Sequence, residues 1–166
     1  MIGTFRVTTL KAIMSATLNI VLFEPEIPNN TGSIIRLCAN MGATLHLIKP
    51  YGFEITDKRL RRAGLDYKDL MCMVEYDDFD DYLDKANPSR VFVVSSKVQT
   101  SYADVSYIKG DSFLFGRETS GLPDAIRNQF EGITLPMQEN SRSLNLANCA
   151  SIVAYEAWRQ LNFCKL

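Results

Sequence analysis

An α/β domain with a mostly parallel sheet flanked by helices is predicted by three observations. Short apolar runs rich in β-branched and aromatic residues recur at 18–23, Thr44–Ile48, 71–76, 90–95, Ser112–Phe115 and 133–135, and they read as buried strands. Helical patterns separate several of them, which is the order that builds parallel sheets. Four polar loops, PEIPNNTG, SSKVQT, GRETSGLP and MQENSRS, follow strand ends. In such folds ligands gather beyond the carboxyl ends of the strands.

In chain order, 1–17 carries Arg6 and Lys11 and no acid. A targeting peptide is one reading, but the apolar run is too broken for a secretory signal. The favoured reading is a loosely ordered, non-native or upstream-initiated N-terminal extension, with Met14 as the usual start and 18–166 as one domain. The strand at 18–23 is LNIVLF, and the turn-rich EPEIPNNTG follows it. A helix is expected over 32–41, with Ile34, Ile35, Cys38 and Ala39 as its apolar face. Asn30 or Thr31 would cap it, and Gly42 stands at C′. Arg36 falls off that face, in the first half of the helix. It is either an exposed surface arginine or one aimed at an anion near the strand's end.

His46, the only histidine, sits on the strand Thr44–Ile48 and reads as structural. The short helical turn at 56–64 carries Lys58, Arg59, Arg61 and Arg62. A charge run is usually a solvated face; in a chain of net charge −1 this dense basic cluster also suits phosphate contact. Phe79, Tyr82, Leu83 and Ala86 give a short amphipathic helix that Asn87-Pro88 ends. Leu122, Ile126 and Phe130 mark another, opened by Pro123.

The stretch 136–161 begins as a polar loop and becomes one long helix. Ala147, Ala150, Ala154, Ala157, Trp158 and Leu161 recur at helical spacing, and Leu146, Cys149 and Val153 add a second apolar side. Small residues along one face let another backbone come close. Ser141, Arg142, Ser143 and Asn145 crowd the helix start, where side-chain oxygens cap free N–H groups and polar ligands can be held. A well-capped core helix is the plainer account.

Composition narrows the chemistry. A chain of 166 residues, 46% apolar, reads as one globular domain. No apolar run approaches the ~20 residues that span a membrane. Cys38, Cys72, Cys149 and Cys164 form no CxxC pair and read as reduced thiols of a cytoplasmic protein. The near-neutral charge argues against bulk-charge nucleic-acid binding and leaves only a local patch. GxxxxGK[ST], GxGxxG and GxSxG are all missing, as is any carboxylate–histidine cluster for a metal. What remains are amides, hydroxyls, arginines and Glu118, groups that suit positioning an already activated cofactor.

Four blocks, PNNTGSIIRLCAN, DKRLRRAGLDY, FGRETSGLP and ITLPMQENSRSLNLANCASIVAYEAW, resemble in order and spacing the SPOUT class of RNA methyltransferases. The match is closest to the TrmL type, tRNA (cytidine/uridine) 2′-O-methyltransferases of the wobble nucleotide. The resemblance implies an α/β knot with a C-terminal trefoil knot, which periodicity could not show. It also implies a cytoplasmic homodimer with Tyr155 at the interface, and no membrane or metal. S-adenosylmethionine would be the cofactor, contacted by Val94, Gly116, Leu135, Ser143 and Leu144. Arg36, Asn30, Ser143 and Asn145 would carry catalysis, with Glu118 and Gly121 supporting the pocket loop or Glu118 holding Arg36. Lys58, Arg59, Arg61, Arg62 and Arg142 would bind tRNA. One departure stands out: FGRETSG replaces the FGPETRG of many members, so Arg117 stands for a proline and Ser120 for an arginine. That shift keeps open a SPOUT enzyme acting on another RNA such as ribosomal RNA, and the slightly acidic composition with no obvious base keeps open a non-catalytic RNA-binding dimer.

Overall fold

The computed structural model describes residues 16–53 and 67–164. Six strands, β1 (Asn19–Phe23), β2 (Thr44–Ile48), β3 (Met73–Tyr76), β4 (Val91–Val94), β5 (Ser112–Phe115) and β6 (Glu131–Ile133), form one sheet in the order β3-β2-β1-β5-β4-β6. Every pairing between neighbours is parallel. The helices are α1 (Pro28–Met41), α2 (Tyr67–Leu70), α3 (Phe79–Ala86), α4 (Asp124–Arg127) and α5 (Leu146–Gln160).

Alternation along each strand feeds two cores. Ile20, Leu22, Leu45, Leu47, Phe113 and Phe115 face α1 and α5. Val21, Phe23, Ile48, Val93 and Leu114 face α3 and the residues around α4. Both faces are covered, as an all-parallel sheet requires. On the first face α1 packs on α5, with Ile34, Ile35 and Cys38 in one cluster with Ala150, Val153, Ala154 and Ala157. The alanine stripe does allow close approach. Of the expected second apolar side, Val153 joins this core and Leu146 and Cys149 are half-buried. The apolar residues left open on α5 are instead Ile152 and Tyr155, 38% and 48% exposed.

Four parts of the chain differ from the sequence reading, the first being the last strand, expected at 133–135 and found at Glu131–Ile133. Helix α1 starts a turn early, because Pro28 fits the first helical position, where no N–H is needed. Asn30 and Thr31 are therefore buried inside the helix and do not cap it, and Arg36 falls in its second half. Gly42 does take the left-handed C-cap position, with φ 69°. The helix expected from Pro123 is only Asp124–Arg127. Ala16 and Thr17, assigned to the loose extension, are buried. Thr17 N–H donates to Gly42 O at 3.1 Å, and Thr17 O accepts from Gly110 N–H at 3.0 Å. The rest of that extension, and the basic turn with Lys58, Arg59, Arg61 and Arg62, lie outside the described residues.

His46 is buried within the sheet. Asn19 donates its amide to Gly110 O, so its carbonyl must accept from His46 Nε2–H, at 3.1 Å. Nδ1 then accepts from the Tyr76 hydroxyl at 2.8 Å. Burial holds this neutral imidazole down to a pKa of about 3. Between that value and the unfolded value near 6.5, only the unfolded chain takes up the proton. Stability is therefore retained above pH ~6.5 and lost as pH falls below it, by about 2 kcal/mol at pH 5. Urea unfolding at pH 7.5 and pH 5 will show this loss, and His46→Gln will remove most of the difference. An equal pH dependence in the variant would refute the assignment.

Candidate cofactor and substrate site

The order in which strands are added switches sides between β1 and β5, and the site opens there, beyond the carboxyl ends of β1, β5, β4 and β6. A cavity of about 440 Å³ takes residues from all four polar loops and from the start of α5. That volume lies within the range of small-molecule sites. Val94, Phe115, Leu122, Leu135 and Leu144 give apolar walls. Asn30, Ser95, Glu118, Thr134, Ser143 and Asn145 add polar groups.

The loop after β5 is shaped by a backbone contact. A side chain at Gly116 would overlap the backbone of Gly121 and Leu122, with Gly121 Cα only 2.8 Å from the Cβ position. Gly121 closes the turn with φ 71° and donates its N–H to Arg117 O at 2.9 Å. Both glycines are thus required by the fold of the loop, one for closeness and one for backbone conformation.

Glu118 fastens this loop to the start of α1. Its carboxylate accepts from Glu26 N–H at 2.8 Å, Ile27 N–H at 3.2 Å and the Asn30 amide at 3.1 Å. No side chain from α1 itself caps that helix; a carboxylate from across the sheet instead sits at its positive end. Asn30 Oδ1 in turn accepts from the Asn145 amide at 2.8 Å. Asn145 Oδ1 caps α5 by accepting from Ala147 N–H at 2.9 Å and Asn148 N–H at 3.3 Å. One hydrogen-bonded line, Glu118–Asn30–Asn145, therefore joins the β5 loop and two helix starts. Glu26 returns the contact by accepting from Thr119 N–H at 2.9 Å and from its hydroxyl. These bonds hold the Glu26 carboxyl below the ordinary carboxylate range.

Asn30, Val94, Gly116, Glu118, Gly121, Leu135, Ser143, Leu144 and Asn145 all line the cavity. Arg36 and Arg142 are exposed and lie outside that lining, and Tyr155 lies further along α5. Of the two roles weighed for Glu118, its bonds to Glu26, Ile27 and Asn30 match loop support. Sequence reasoning missed Ser95, Leu122, Thr134 and Cys149. Ser95 directly follows Val94, and Cys149 stands one helical turn after Asn145, so both were within reach of the same spacing rules. Burial pushes the Cys149 thiol up, away from a thiolate. Among the described residues no group of three or more His, Cys, Asp or Glu is placed to hold a metal, and no helix is long and apolar enough to cross a membrane.

Apolar walls, a glycine-tight loop and two helix starts define a parallel α/β protein with a nucleoside-sized site at its strand ends. The chain belongs to the SpoU rRNA Methylase family, whose model matches residues 17–155. It is 51% identical over 149 residues to the tRNA (cytidine(34)-2'-O)-methyltransferase of Escherichia coli (strain K12), covering 88% of this chain and 95% of that one. The enzyme of the same name from Yersinia pestis is 53% identical over 155 residues, with the same coverage. A solved structure concerned with the 2-OH methylation of C/U34 on tRNA superposes with a TM-score of 0.82 at 40% identity, covering 87% of this chain and 96% of that one. The SpoU methyltransferase AviRb from Streptomyces viridochromogenes, in complex with AdoMet, matches at a TM-score of 0.75 and 25% identity, over 87% and 60% of the two chains.

Proposed function

We propose that this protein transfers a methyl group from S-adenosylmethionine to the ribose 2′-hydroxyl of the wobble cytidine or uridine of tRNA. The observation that carries this reading is the 51% identity, over 95% of its length, to a relative named for methylation at cytidine 34. The cavity agrees with it. Its apolar walls suit an adenine ring, and Gly116 and Leu135 both line it, where their backbone groups would meet the ring's polar edge. Val94, Gly116, Leu135, Ser143 and Leu144 would hold the cofactor, whose sulfonium supplies a methyl group that needs no further activation.

The chain's own residues then have to place the hydroxyl in line and stabilise the charge it develops. Proximity and orientation account for much of such a rate. The Glu118–Asn30–Asn145 line keeps the β5 loop and the α5 start in fixed relation. Arg36 approaches the substrate from the exposed side of α1. A guanidinium stays protonated, so its role is electrostatic stabilisation of the alkoxide rather than proton removal. Arg142 and the cluster Lys58, Arg59, Arg61 and Arg62 would bind the anticodon-stem phosphates. A homodimer closing over Tyr155 would cover the open apolar residues of α5, and a C-terminal trefoil knot and a cytoplasmic location complete the reading.

Labelled S-adenosylmethionine incubated with unmodified bulk tRNA tests it, followed by nucleoside analysis. Label recovered as 2′-O-methylcytidine or 2′-O-methyluridine at position 34 is the expected result. Methylation of ribosomal RNA instead would reject the substrate, and absence of cofactor binding would reject the reaction.

A further inference from the structure

We propose that Arg117 is a positioning residue of the cofactor pocket, acting through Glu24 rather than through RNA or the cofactor itself. The inference rests on the cofactor reading given above. In sequence Arg117 reads as a cation displaced along a substrate-facing loop. The structure gives it a partner just past the end of β1, the neighbouring strand. Its Nε donates to Glu24 Oε2 at 2.7 Å, and a second guanidinium nitrogen donates to the same oxygen. The guanidinium also lies over the Phe23 ring, 5.8 Å from its centroid. The Glu24 side chain is only 16% exposed, against 40% for that of Arg117. Removing the cation would therefore leave a largely buried carboxylate without its ion pair.

Glu24 is itself held firmly. Its φ of 49° is a left-handed conformation that a glutamate adopts only when its surroundings impose it. Its N–H donates to Ile48 O at 3.0 Å, which ties it to the end of β2. Arg117 directly follows Gly116, the residue whose backbone packs on Gly121 and Leu122. The three successive side chains Arg117, Glu118 and Thr119 all reach across to the loop after β1, to Glu24, to the Glu26 and Ile27 N–H groups, and to the Glu26 carboxylate. Arg117 is the first of these three ties and the nearest in sequence to Gly116. With it engaged, the residue directly after Gly116 is fixed against Glu24; without it, that end of the turn loses its own tie and is held only through Glu118 and Thr119.

Binding of S-adenosylhomocysteine, measured by calorimetry on the full-length wild type and on Glu24→Gln, Arg117→Gln and the double variant, decides the matter. Each single change is expected to raise Kd by roughly tenfold, the usual weight of a charge-assisted bond. The double variant should be no worse than either single, since both remove one interaction. KM for tRNA at saturating cofactor should stay unchanged. Three outcomes would overturn the proposal. If Glu24→Gln leaves affinity unchanged or tightens it while Arg117→Gln weakens it, Arg117 touches the cofactor directly. If KM for tRNA rises and its salt dependence falls with cofactor affinity intact, Arg117 binds phosphate. If neither variant alters Kd, the pair has no part in the pocket. Glu24→Gln removes only a charge and keeps the side-chain shape, so it also serves if Arg117→Gln fails to fold. A wild type that does not bind S-adenosylhomocysteine would instead reject the cofactor reading.

Discussion

Gly116→Ala will cost about 3 kcal/mol of cofactor binding, the upper range for forcing an extra methyl into a packed site, seen as roughly a hundredfold rise in Kd. The reason is geometric. The new methyl would meet backbone atoms of Gly121 and Leu122, which cannot rotate away as a side chain could. Relief requires the 116–121 turn to open, and that turn carries Glu118, Thr119 and Gly121 along the cavity wall. Gly110→Ala serves as the control. Gly110 lies just before β5 with φ 89° and open space around its Cβ position. It will lower stability through backbone strain yet leave cofactor affinity in place. Equal losses of affinity in the two variants would show that the site responds to overall destabilisation and not to the loop.

Arg36→Ala will reduce methyl transfer by about a thousandfold, the weight of removing a donor that stabilises a developing oxyanion, with Kd for S-adenosylhomocysteine unchanged. The two effects separate because Arg36 is exposed and lies outside the cavity lining, whereas Asn30, six residues earlier on α1, is buried and points its amide into the Glu118–Asn30–Asn145 line. One face of the helix thus holds Asn30 in that line, and the exposed face carries Arg36, the group proposed to meet RNA. Single-turnover rates at saturating cofactor measure this directly. Full activity in the variant would remove Arg36 from the mechanism, and a parallel loss of cofactor affinity would make its role structural.

Much of this organisation was legible along the chain. Thr44–Ile48 and Ser112–Phe115 are strands residue for residue, because short β-branched and aromatic runs between turn signals have few other uses. The long α5 followed from alanine spacing, and of the four polar residues expected around its start Asn145 is the one that caps it. Convergence of four loops at the strand ends was also predictable, since parallel order sends every such loop to one edge. The start of α1 was misplaced because Pro28 looks like a turn residue unless its tolerance at the first helical position is weighed.

By itself the sequence determined where the strands fall and the alanine face on which α5 packs, properties that repeat within a few residues, while the family resemblance supplied many, not all, of the residues that line the pocket. Only the tertiary structure decided what those residues touch. Glu118 serves a helix start 91 residues away, Arg117 serves Glu24 at a separation of 93, and Asn145 meets Asn30 at 115. Such contacts depend on which strands become neighbours. The pairing of β1 with β5 sets that, and no local period of the chain records it.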